Sequence, residues 1–327
     1  MVSPITSVDP GHRAPVFRLV DVDNDGRVLA AVTPAAIGNA FADLSAAVVN
    51  TTQLCEFTRK GRLRLLTATN TEATGRYIPG RRTVLVQHYW RAGGARQLSL
   101  LNLVASQLPA GLEGFHLLAH DQGVHHRLLH AHSAGFLYLA QPGDRYAPAT
   151  LLFRPWMSAA REIAHDLPPG VMATCSDNGK HFAYYNPATA TAHIIRPKDT
   201  ITVDMPAAPT SLRLLPDGEH LYFTTASRAY VIREKTLRRL SIQVISGGFS
   251  HYGDFAIIRG EGSLQLVAKD ASVLHSWQIK PTEYRHAIWA HASSYCAVDA
   301  GVAGAWRISM KSGKRRDVWP ADAGVKS

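Results

Sequence analysis

Histidine is the residue type whose number and spacing most directly suggest chemistry. The chain holds 16 histidines, and six of them fall between His116 and His132. If this stretch contains a β-strand, His130 and His132 lie on one face of it, because strand side chains alternate between faces. Two imidazoles on one face can hold a zinc, copper, iron or nickel ion. The spacing therefore predicts a divalent metal site at His130 and His132.

A second candidate metal site is the run of alternating carboxylates Asp21, Asp23 and Asp25, which ends at Gly26. Oxygens at alternating positions are typical of the start of a calcium loop. The twelfth position is Val32, where an EF-hand carries glutamate. The run also resembles the DxDxDG loops of FG-GAP propellers, although those recur in several blades and this chain has one copy. The alternative is a hairpin turn built on Asp-Gly chemistry, which we favour.

The elements that must position these residues follow a repeat of roughly 36 to 48 residues, a period typical of repeat folds. Its clearest copy, Ser211 to Ile242, has an apolar strand, a turn at Pro216 to Gly218, an alternating strand and two more strands. Aspartate bonds its own backbone in such a turn, and glycine accepts a positive φ. Further copies begin near Thr74, His125, Gly170, Gly248 and His286, and one more occupies the first 70 or so residues.

A repeat in this range built from strands alone is typical of a β-propeller. We predict an all-β fold, a single β-propeller of seven four-stranded blades; six or eight blades also fit, and the alternative is a β-sandwich or two small β domains. The turns resemble those of TolB-like and WD40-like propellers, without the Trp-Asp pair of true WD40 repeats. This resemblance covers most of the chain and implies a fold, not a function. The propeller is expected over residues 1–320, with a flexible tail at 321–327.

Two further expectations concern ring closure and the connections between strands. Closure is predicted to pair an N-terminal strand, Val16 to Val22, with the last blade near Ala303 to Met310. The stretch Leu108 to Gly123 is predicted to be the longest irregular connector.

The first strand of each blade lines the central channel of a propeller, so residues from distant repeats converge there. By the repeat, such strands carry His130 and His132 and, in other blades, His251 and His291. These four residues form the predicted site at the channel mouth, where they bind a metal ion or, when protonated near pH 6, an acidic ligand. The alternative is that these histidines bond neighbouring backbone, and an error of one residue in register would turn them away from the channel.

Other catalytic signatures are scarce. The chain has no Gly-x-Ser-x-Gly elbow, no phosphate loop and no dinucleotide fingerprint. One set of residues is suited to an elimination reaction, in which histidine or tyrosine abstracts a proton while arginine neutralises a carboxylate. That set is His181, Tyr184, Tyr185, Tyr222, Tyr252 and Arg213.

Composition and charge limit the partners and the cellular location that we expect. The net charge is +10 with a pI near 9.7, and basic residues concentrate in Arg228 to Arg239 and Lys311 to Arg316. We expect these to form a solvated rim, the alternative being a patch for nucleic acid or an acidic protein. No apolar run is long enough for a membrane span, so no membrane partner is expected. Three scattered cysteines indicate a cytoplasmic location.

Three functions fit these observations. The leading expectation is a non-enzymatic scaffold that binds a protein partner through its rim or axial funnel. Its anchors would be exposed aromatic and arginine residues, namely Trp90, Arg91, Arg145, Tyr146 and Trp156. The first alternative is a metal-assisted lyase or hydrolase that acts on an acidic or sugar-like small molecule at the channel. The second is a nucleic-acid-associated propeller that uses a basic face.

Overall fold

The computed structural model describes residues 17–32, 53–60, 62–67, 72–90, 95–104, 115–119, 121, 123–143, 147–243, 247–260, 262–268, 270–278, 286–299 and 304–319. These residues form 28 strands in seven four-stranded antiparallel sheets. In the described part of the chain, no helix has the length and apolar character needed to cross a bilayer.

Each sheet, or blade, consists of four strands that are consecutive in sequence. Blades 1 and 2 contain β1 (Phe17–Val22), β2 (Val28–Val32), β3 (Gln53–Phe57), β4 (Leu63–Leu65), β5 (Glu72–Tyr77), β6 (Thr83–Trp90), β7 (Ala95–Asn102) and β8 (Phe115–Ala119). Blades 3 and 4 contain β9 (Val124–Ala131), β10 (Gly135–Pro142), β11 (Ala149–Pro155), β12 (Arg161–Leu167), β13 (Met172–Cys175), β14 (Phe182–Asn186), β15 (Thr191–Ile195) and β16 (Thr200–Asp204). Blades 5 and 6 contain β17 (Ser211–Leu214), β18 (His220–Thr224), β19 (Arg228–Arg233), β20 (Thr236–Gln243), β21 (Gly247–Phe249), β22 (Phe255–Gly260), β23 (Ser263–Ala268) and β24 (Val273–Gln278). Blade 7 contains β25 (His286–Trp289), β26 (Tyr295–Asp299), β27 (Ala305–Ser309) and β28 (Arg315–Trp319).

The turn after the first strand of a blade has a recurring hydrogen-bond pattern. In blade 5, the Leu215 N–H donates to the His220 carbonyl and the Gly218 N–H donates to the Leu215 carbonyl, both at 2.9 Å. Gly218 has a φ of +72°, which glycine adopts without a Cβ penalty. We call the residue in the position of Leu215 the turn-entry residue. From blade 1 to blade 7 the turn-entry residues are Asp23, Ile78, His132, Ser176, Leu215, Ser250 and Ala290.

Apolar side chains of neighbouring blades meet in seven buried clusters, one at each blade boundary. Ile194 of blade 4 and Phe223 of blade 5, for example, are fully buried in the same cluster. Burying a side chain of this size stabilises the fold by about 1.5–3 kcal/mol. Val28 of blade 1 shares a cluster with Ala297 of blade 7, so the ring is closed. The predicted all-β single propeller of four-stranded blades is confirmed.

The predicted mode of closure is wrong. The strand β1 pairs with β2 within its own blade, and among the described strands β27 pairs with β26 and β28 alone. Blades 1 and 7 are joined instead by apolar packing and by contacts between turns. Asn24 Oδ1 accepts a hydrogen bond from the Ala292 N–H at 2.7 Å, and Arg307 donates to the Gly26 carbonyl and, at 3.0 Å, to the Arg59 carbonyl. A strand exchanged between the two ends of the chain is therefore not needed.

The predicted irregular connector at Leu108 to Gly123 is also partly wrong, because its residues Phe115–Ala119 form β8, the outer strand of blade 2. The basic stretches lie on outer elements, as expected: Arg228 to Arg239 spans β19 and β20, and Lys311 to Arg316 runs into β28. The predicted tail at 321–327 lies outside the described residues.

Candidate functional site

The first strands of all seven blades line an axial cavity of about 750 Å³. Its wall includes residues of β1, β5, β9, β13, β17, β21 and β25, together with the turns that follow several of them. A cavity of this volume lies within the usual range for small-molecule sites, which is roughly 300–1,000 Å³. The predicted channel therefore exists, and the residues at its mouth can reach a ligand inside it.

Four side chains converge at one mouth of this channel. Asp177, His251 and His291 each directly follow the turn-entry residue of their blade, and His132 is itself the turn-entry residue of blade 3. Because the seven turns sit at one end of the ring, the same offset in different repeats places these side chains at one height. The turn in blade 3 is shorter, with the His132 N–H donating to the Gly135 carbonyl at 2.8 Å.

The potential ligand atoms of His132, Asp177, His251 and His291, one from each residue, all lie within 4.8 Å of one another. The carboxylate is the common neighbour: Asp177 Oδ1 is 3.2 Å from His132 Nδ1, 2.5 Å from His251 Nε2 and 3.2 Å from His291 Nε2. The His251 and His291 rings are 4.3 Å apart between centroids. Three blades thus supply imidazoles around a carboxylate from a fourth.

Burial and mutual contacts shift the pKa values of three residues in this cluster, His132, His251 and Asp177. His132 and His251 are buried, whereas Asp177 and His291 are half-buried. Burial lowers the pKa of His251 to about 4, although Asp177 opposes the shift, and it lowers the pKa of His132 in the same way. Burial would raise the pKa of Asp177, but its contacts with the three histidines hold that pKa well below its usual range. Neutral imidazoles and an ionised carboxylate are the forms in which these groups bind metals.

The hydrogen bonding of the cluster is incomplete. His132 Nε2 is buried and makes no hydrogen bond within the described structure, and the buried Nε2 atoms of His251 and His291 lie near Asp177 Oδ1 without hydrogen-bond geometry, a costly arrangement for polar atoms. A metal ion with bonds of about 2.1 Å separates neighbouring ligand atoms by about 3.0–3.4 Å. The two contacts of Asp177 at 3.2 Å match this spacing. The 2.5 Å contact of His251 is shorter, so this ring must retreat slightly when an ion binds.

Trp156 supports the cluster from outside. Its Nε1 donates to the His132 carbonyl at 3.0 Å, and its ring packs against Phe136 at 5.4 Å between centroids. The Arg81 guanidinium lies 5.9 Å from the same ring. Predicted as an anchor for a partner, Trp156 is placed by the structure where it fixes the backbone of a cluster histidine.

A second layer of residues lies two positions before the turn-entry residue, and all of them except Thr174 line the channel. This layer contains Asp21, Arg76, His130, Thr174, Arg213, Gly248 and Ile288, one from each blade in order. His130 is therefore adjacent to the cluster without belonging to it, and its ring centroid is 5.8 Å from that of His132. Burial lowers the pKa of His130 well below its ordinary value, and Arg213 adds to the shift.

The structure brings together three of the four predicted channel-mouth residues, namely His132, His251 and His291, and adds Asp177. Asp177 is not among the predicted site residues, because an Asp-Asn-Gly sequence by itself indicates only a turn. The signal was present: Ser176-Asp177, Ser250-His251 and Ala290-His291 are the same two positions of three repeats. Aligning the turns, rather than searching for histidine pairs, would have found it.

The three carboxylates of the predicted calcium loop bond to protein groups around them. Asp23 Oδ1 accepts from the backbone N–H groups of Asp25 and Arg27, and both Asp23 and Asp25 pair with the Arg27 guanidinium, at 3.0 and 2.6 Å. Asp21 Oδ2 accepts from the Tyr77 N–H at 2.7 Å. Asp23 thus makes the hairpin contacts that the alternative interpretation required, with Asp25 paired to the same arginine.

The remaining predicted residues lie elsewhere. Trp90 ends β6, and Arg91, Arg145 and Tyr146 lie outside the described residues, so their role in partner binding stays a prediction. The proposed elimination set does not assemble. Tyr184 stacks on His193, with centroids 4.6 Å apart, and Tyr222 is buried against Phe249. Of that set, only Arg213 lines the axial cavity.

No protein-family model matches the chain, and no curated protein matches it. Among solved structures, Kluyveromyces lactis Hsv2 is similar, with 11% identity and a TM-score of 0.55, over 93% of this chain and 100% of that chain. A form of KlHsv2 with loop 6CD replaced by a Gly-Ser linker is similar over the same shares, with 10% identity and a TM-score of 0.55. At this identity the likeness shows a common fold alone.

Proposed function

We propose that the protein binds a divalent transition-metal ion at the mouth of its axial channel and uses it to act on a small molecule in the cavity. The observation that carries this proposal is the convergence of His132, Asp177, His251 and His291, whose candidate ligand atoms lie within 4.8 Å of one another. Three imidazoles and one carboxylate suit zinc, iron, cobalt, nickel or manganese.

The position of the cluster favours a working centre over a purely structural one. Structural zinc sites are closed, whereas catalytic sites keep a coordination position open to the substrate. His132, His251 and His291 line the 750 Å³ cavity. An ion that takes six ligands would keep two positions beside the four protein ligands. Such an ion polarises a bound oxygen or activates water, which is the chemistry that a lyase or hydrolase needs.

The protein groups around the ion have separate roles. Asp177 supplies the negative charge that offsets the cation, and His132 and His251 remain neutral because burial lowers their pKa values. His130, next to the cluster and also kept neutral, is placed to accept a proton from a molecule in the cavity.

The test is elemental analysis of tag-free protein purified without chelators, followed by dialysis against limiting metal. We expect close to one ion per chain in the wild type and a large loss in the His132→Ala and His251→Ala variants. His165→Ala is the matched control, because His165 is an exposed histidine on the outer strand β12. A wild-type chain that stays metal-free after metal is added back, while folded by circular dichroism, would rule the proposal out. Zinc held by four protein ligands and inert to exchange would indicate a structural centre.

A second candidate function is partner binding at the rim. It is favoured by Met157, a large apolar side chain that is 94% exposed. A Met157→Glu variant that loses a co-purifying protein, with metal content unchanged, would support it. We further propose a cytoplasmic location, because Cys55, Cys175 and Cys296 are free and buried.

A further inference from the structure

The layer beneath the metal cluster is charged in an unbalanced way. Arg76 and Arg213 both line the cavity at this height. Burial lowers the pKa of Arg213, and the nearby positive charge of Arg76 lowers it further. Asp21 is 3.7 Å from Arg76 and partly offsets it. Among the described residues, no carboxylate lies within ion-pair distance of Arg213. The layer therefore keeps an excess of about one positive charge.

Other arginines at this end of the channel are engaged. Arg82 makes two bonds to the buried carboxylate of Glu56, at 3.1 and 3.3 Å, and Arg27 pairs with Asp23 and Asp25. Arg213 differs, because among the described residues its guanidinium has a hydrogen-bond contact only with His251 Nδ1, at 3.4 Å. A guanidinium keeps its positive charge at ordinary pH and carries five N–H donors. Most donors of Arg213 are therefore available to bind an anion.

Metal binding makes the case for an anion stronger. If His251 holds an ion through Nε2, its Nδ1 carries the proton and becomes a donor. The Arg213 Nη1, also a donor, would then face it at 3.4 Å. A negatively charged oxygen that accepts from the Arg213 guanidinium and draws it away from His251 resolves this conflict.

Space for such a group exists in the cavity that Arg213 lines. Blade 6 contributes Gly248 to the same wall, and a Cβ there would meet only the Ala287 carbonyl at 3.8 Å and the Trp289 Nε1 at 4.0 Å. The missing side chain leaves a gap on the side of Gly248 that faces blade 7. A glycine at this point keeps open the cavity that the unpaired charge faces.

We propose that the cavity binds the carboxylate of a small organic anion at Arg213, while a neighbouring oxygen of the same molecule reaches the metal ion. Arg76, which also donates to the Val20 carbonyl, adds positive charge to this wall. The proposal rests on the proposed metal centre and names the class of its ligand: a small monoanionic carboxylate with an adjacent hydroxyl or carbonyl oxygen. A monoanion is favoured over a phosphate dianion because the layer offers about one net positive charge. Guanidinium and carboxylate also match in geometry, since both are planar and pair through two parallel bonds.

The experiment uses the full chain loaded with Mn²⁺, and glycolate as the probe. The paramagnetic ion relaxes the methylene protons of glycolate when the ligand binds beside it, so NMR relaxation reports both affinity and proximity. Glycolamide, which lacks the charge, and inorganic phosphate are the comparison ligands. The same titration is made with Arg213→Gln, with Gly248→Leu, which fills the gap without removing a charge, and with Arg127→Gln. Arg127 lines the same cavity but donates to the Val171 carbonyl at 3.1 Å.

We expect glycolate to bind at least tenfold more tightly than glycolamide. Arg213→Gln and Gly248→Leu should each weaken glycolate binding by tenfold or more and leave the Mn²⁺ content at the wild-type level, and Arg127→Gln should change neither quantity by more than twofold. Equal binding of glycolate and glycolamide, or wild-type affinity in Arg213→Gln, would overturn the carboxylate site and leave the metal centre standing. Displacement of glycolate by a lower concentration of phosphate would overturn the assignment to carboxylates.

If the wild-type chain does not take up Mn²⁺ at all, the metal centre fails and the anion site is judged separately. Saturation-transfer NMR of glycolate with the metal-free chain then decides. Binding that disappears in Arg213→Gln upholds the carboxylate site, and absence of binding to the wild type rejects it.

Discussion

Arg307 is the side chain on which we expect the closure of the ring to depend most. It lies on β27 of blade 7, is only 7% exposed, and donates to the Gly26 and Arg59 carbonyls of blade 1. Replacing it with methionine keeps most of the side-chain volume and removes both donors. Gly26 is buried, so its carbonyl would lose a charged donor without gaining water, whereas Arg59 lies in an exposed turn where water can take over.

The size of the effect follows from these two bonds. A hydrogen bond to a charged group contributes about 1.5–3 kcal/mol, and a buried carbonyl left without a partner costs about 1–3 kcal/mol. With Arg59 resolvated, we expect Arg307→Met to lower the free energy of unfolding by about 2–4 kcal/mol. For a chain of this length the entropy of unfolding is about 0.7 kcal/mol per kelvin, so Tm should fall by about 3–6 °C.

Urea denaturation followed by tryptophan fluorescence, and thermal melting followed by circular dichroism, measure these quantities. Arg316→Met is the matched control: Arg316 is an exposed arginine on β28 of the same blade, and a change there should stay within about 0.5 kcal/mol. If the Arg307 variant is no less stable than the Arg316 variant, the contacts between turns do not close the ring, and packing between blades 7 and 1 must suffice.

Three more predictions follow from single residues. Burial raises the pKa of Asp21 from 3.8 to about 6, so the stability that its protonated form contributes is complete below about pH 4 and is lost as the pH rises through 6. The free energy of unfolding of Asp21→Asn, relative to that of the wild type, should therefore rise by about 2–3 kcal/mol between pH 4 and pH 8. Urea titrations measure this difference, and a value that does not change across this pH range would contradict the burial of the Asp21 charge. Gly218→Ala should destabilise the fold by about 1–3 kcal/mol, because the φ of +72° strains alanine and its Cβ would overlap the His181 ring; a melting temperature equal to that of the wild type would show that the turn can rearrange. Trp156→Phe should weaken metal binding by about tenfold, since it removes the bond to the His132 carbonyl, and a competition assay with a coloured chelator that finds wild-type affinity would assign Trp156 to packing alone.

The fold could be predicted because its signals are local. The turn at Pro216 to Gly218 depends on residues that touch one another in sequence, and it recurs at a regular spacing. Strand β8 was missed because Phe115–Ala119 is a short apolar run, which periodicity alone cannot assign. The predicted mode of ring closure was wrong because the sequence does not show which strand β1 pairs with. In the assembled ring, β1 pairs with β2 of its own blade.

The site was predictable to the extent that its residues stand out by type. His251 and His291 were identified as channel residues because histidine is conspicuous on an inner strand. Asp177 and Arg213 belong to common residue types, and their importance arises from what the ring places beside them. Three imidazoles lie 2.5–3.2 Å from Asp177, and Arg213 faces the axial cavity beside His251. Such contacts depend on which residues of different blades lie at the same level along the channel axis. A repeat pattern predicts this level only after the turns of the repeats have been aligned.

Each blade is built from four consecutive strands, and no described strand is shared between blades 7 and 1. Duplicating or deleting one blade-length segment of the gene would therefore add or remove a whole sheet without splitting another. A change in ring size would leave each sheet intact and alter only the angle between neighbours. The centre at the channel mouth, by contrast, draws on blades 3, 4, 6 and 7, so its geometry ties this ring to its present number of repeats.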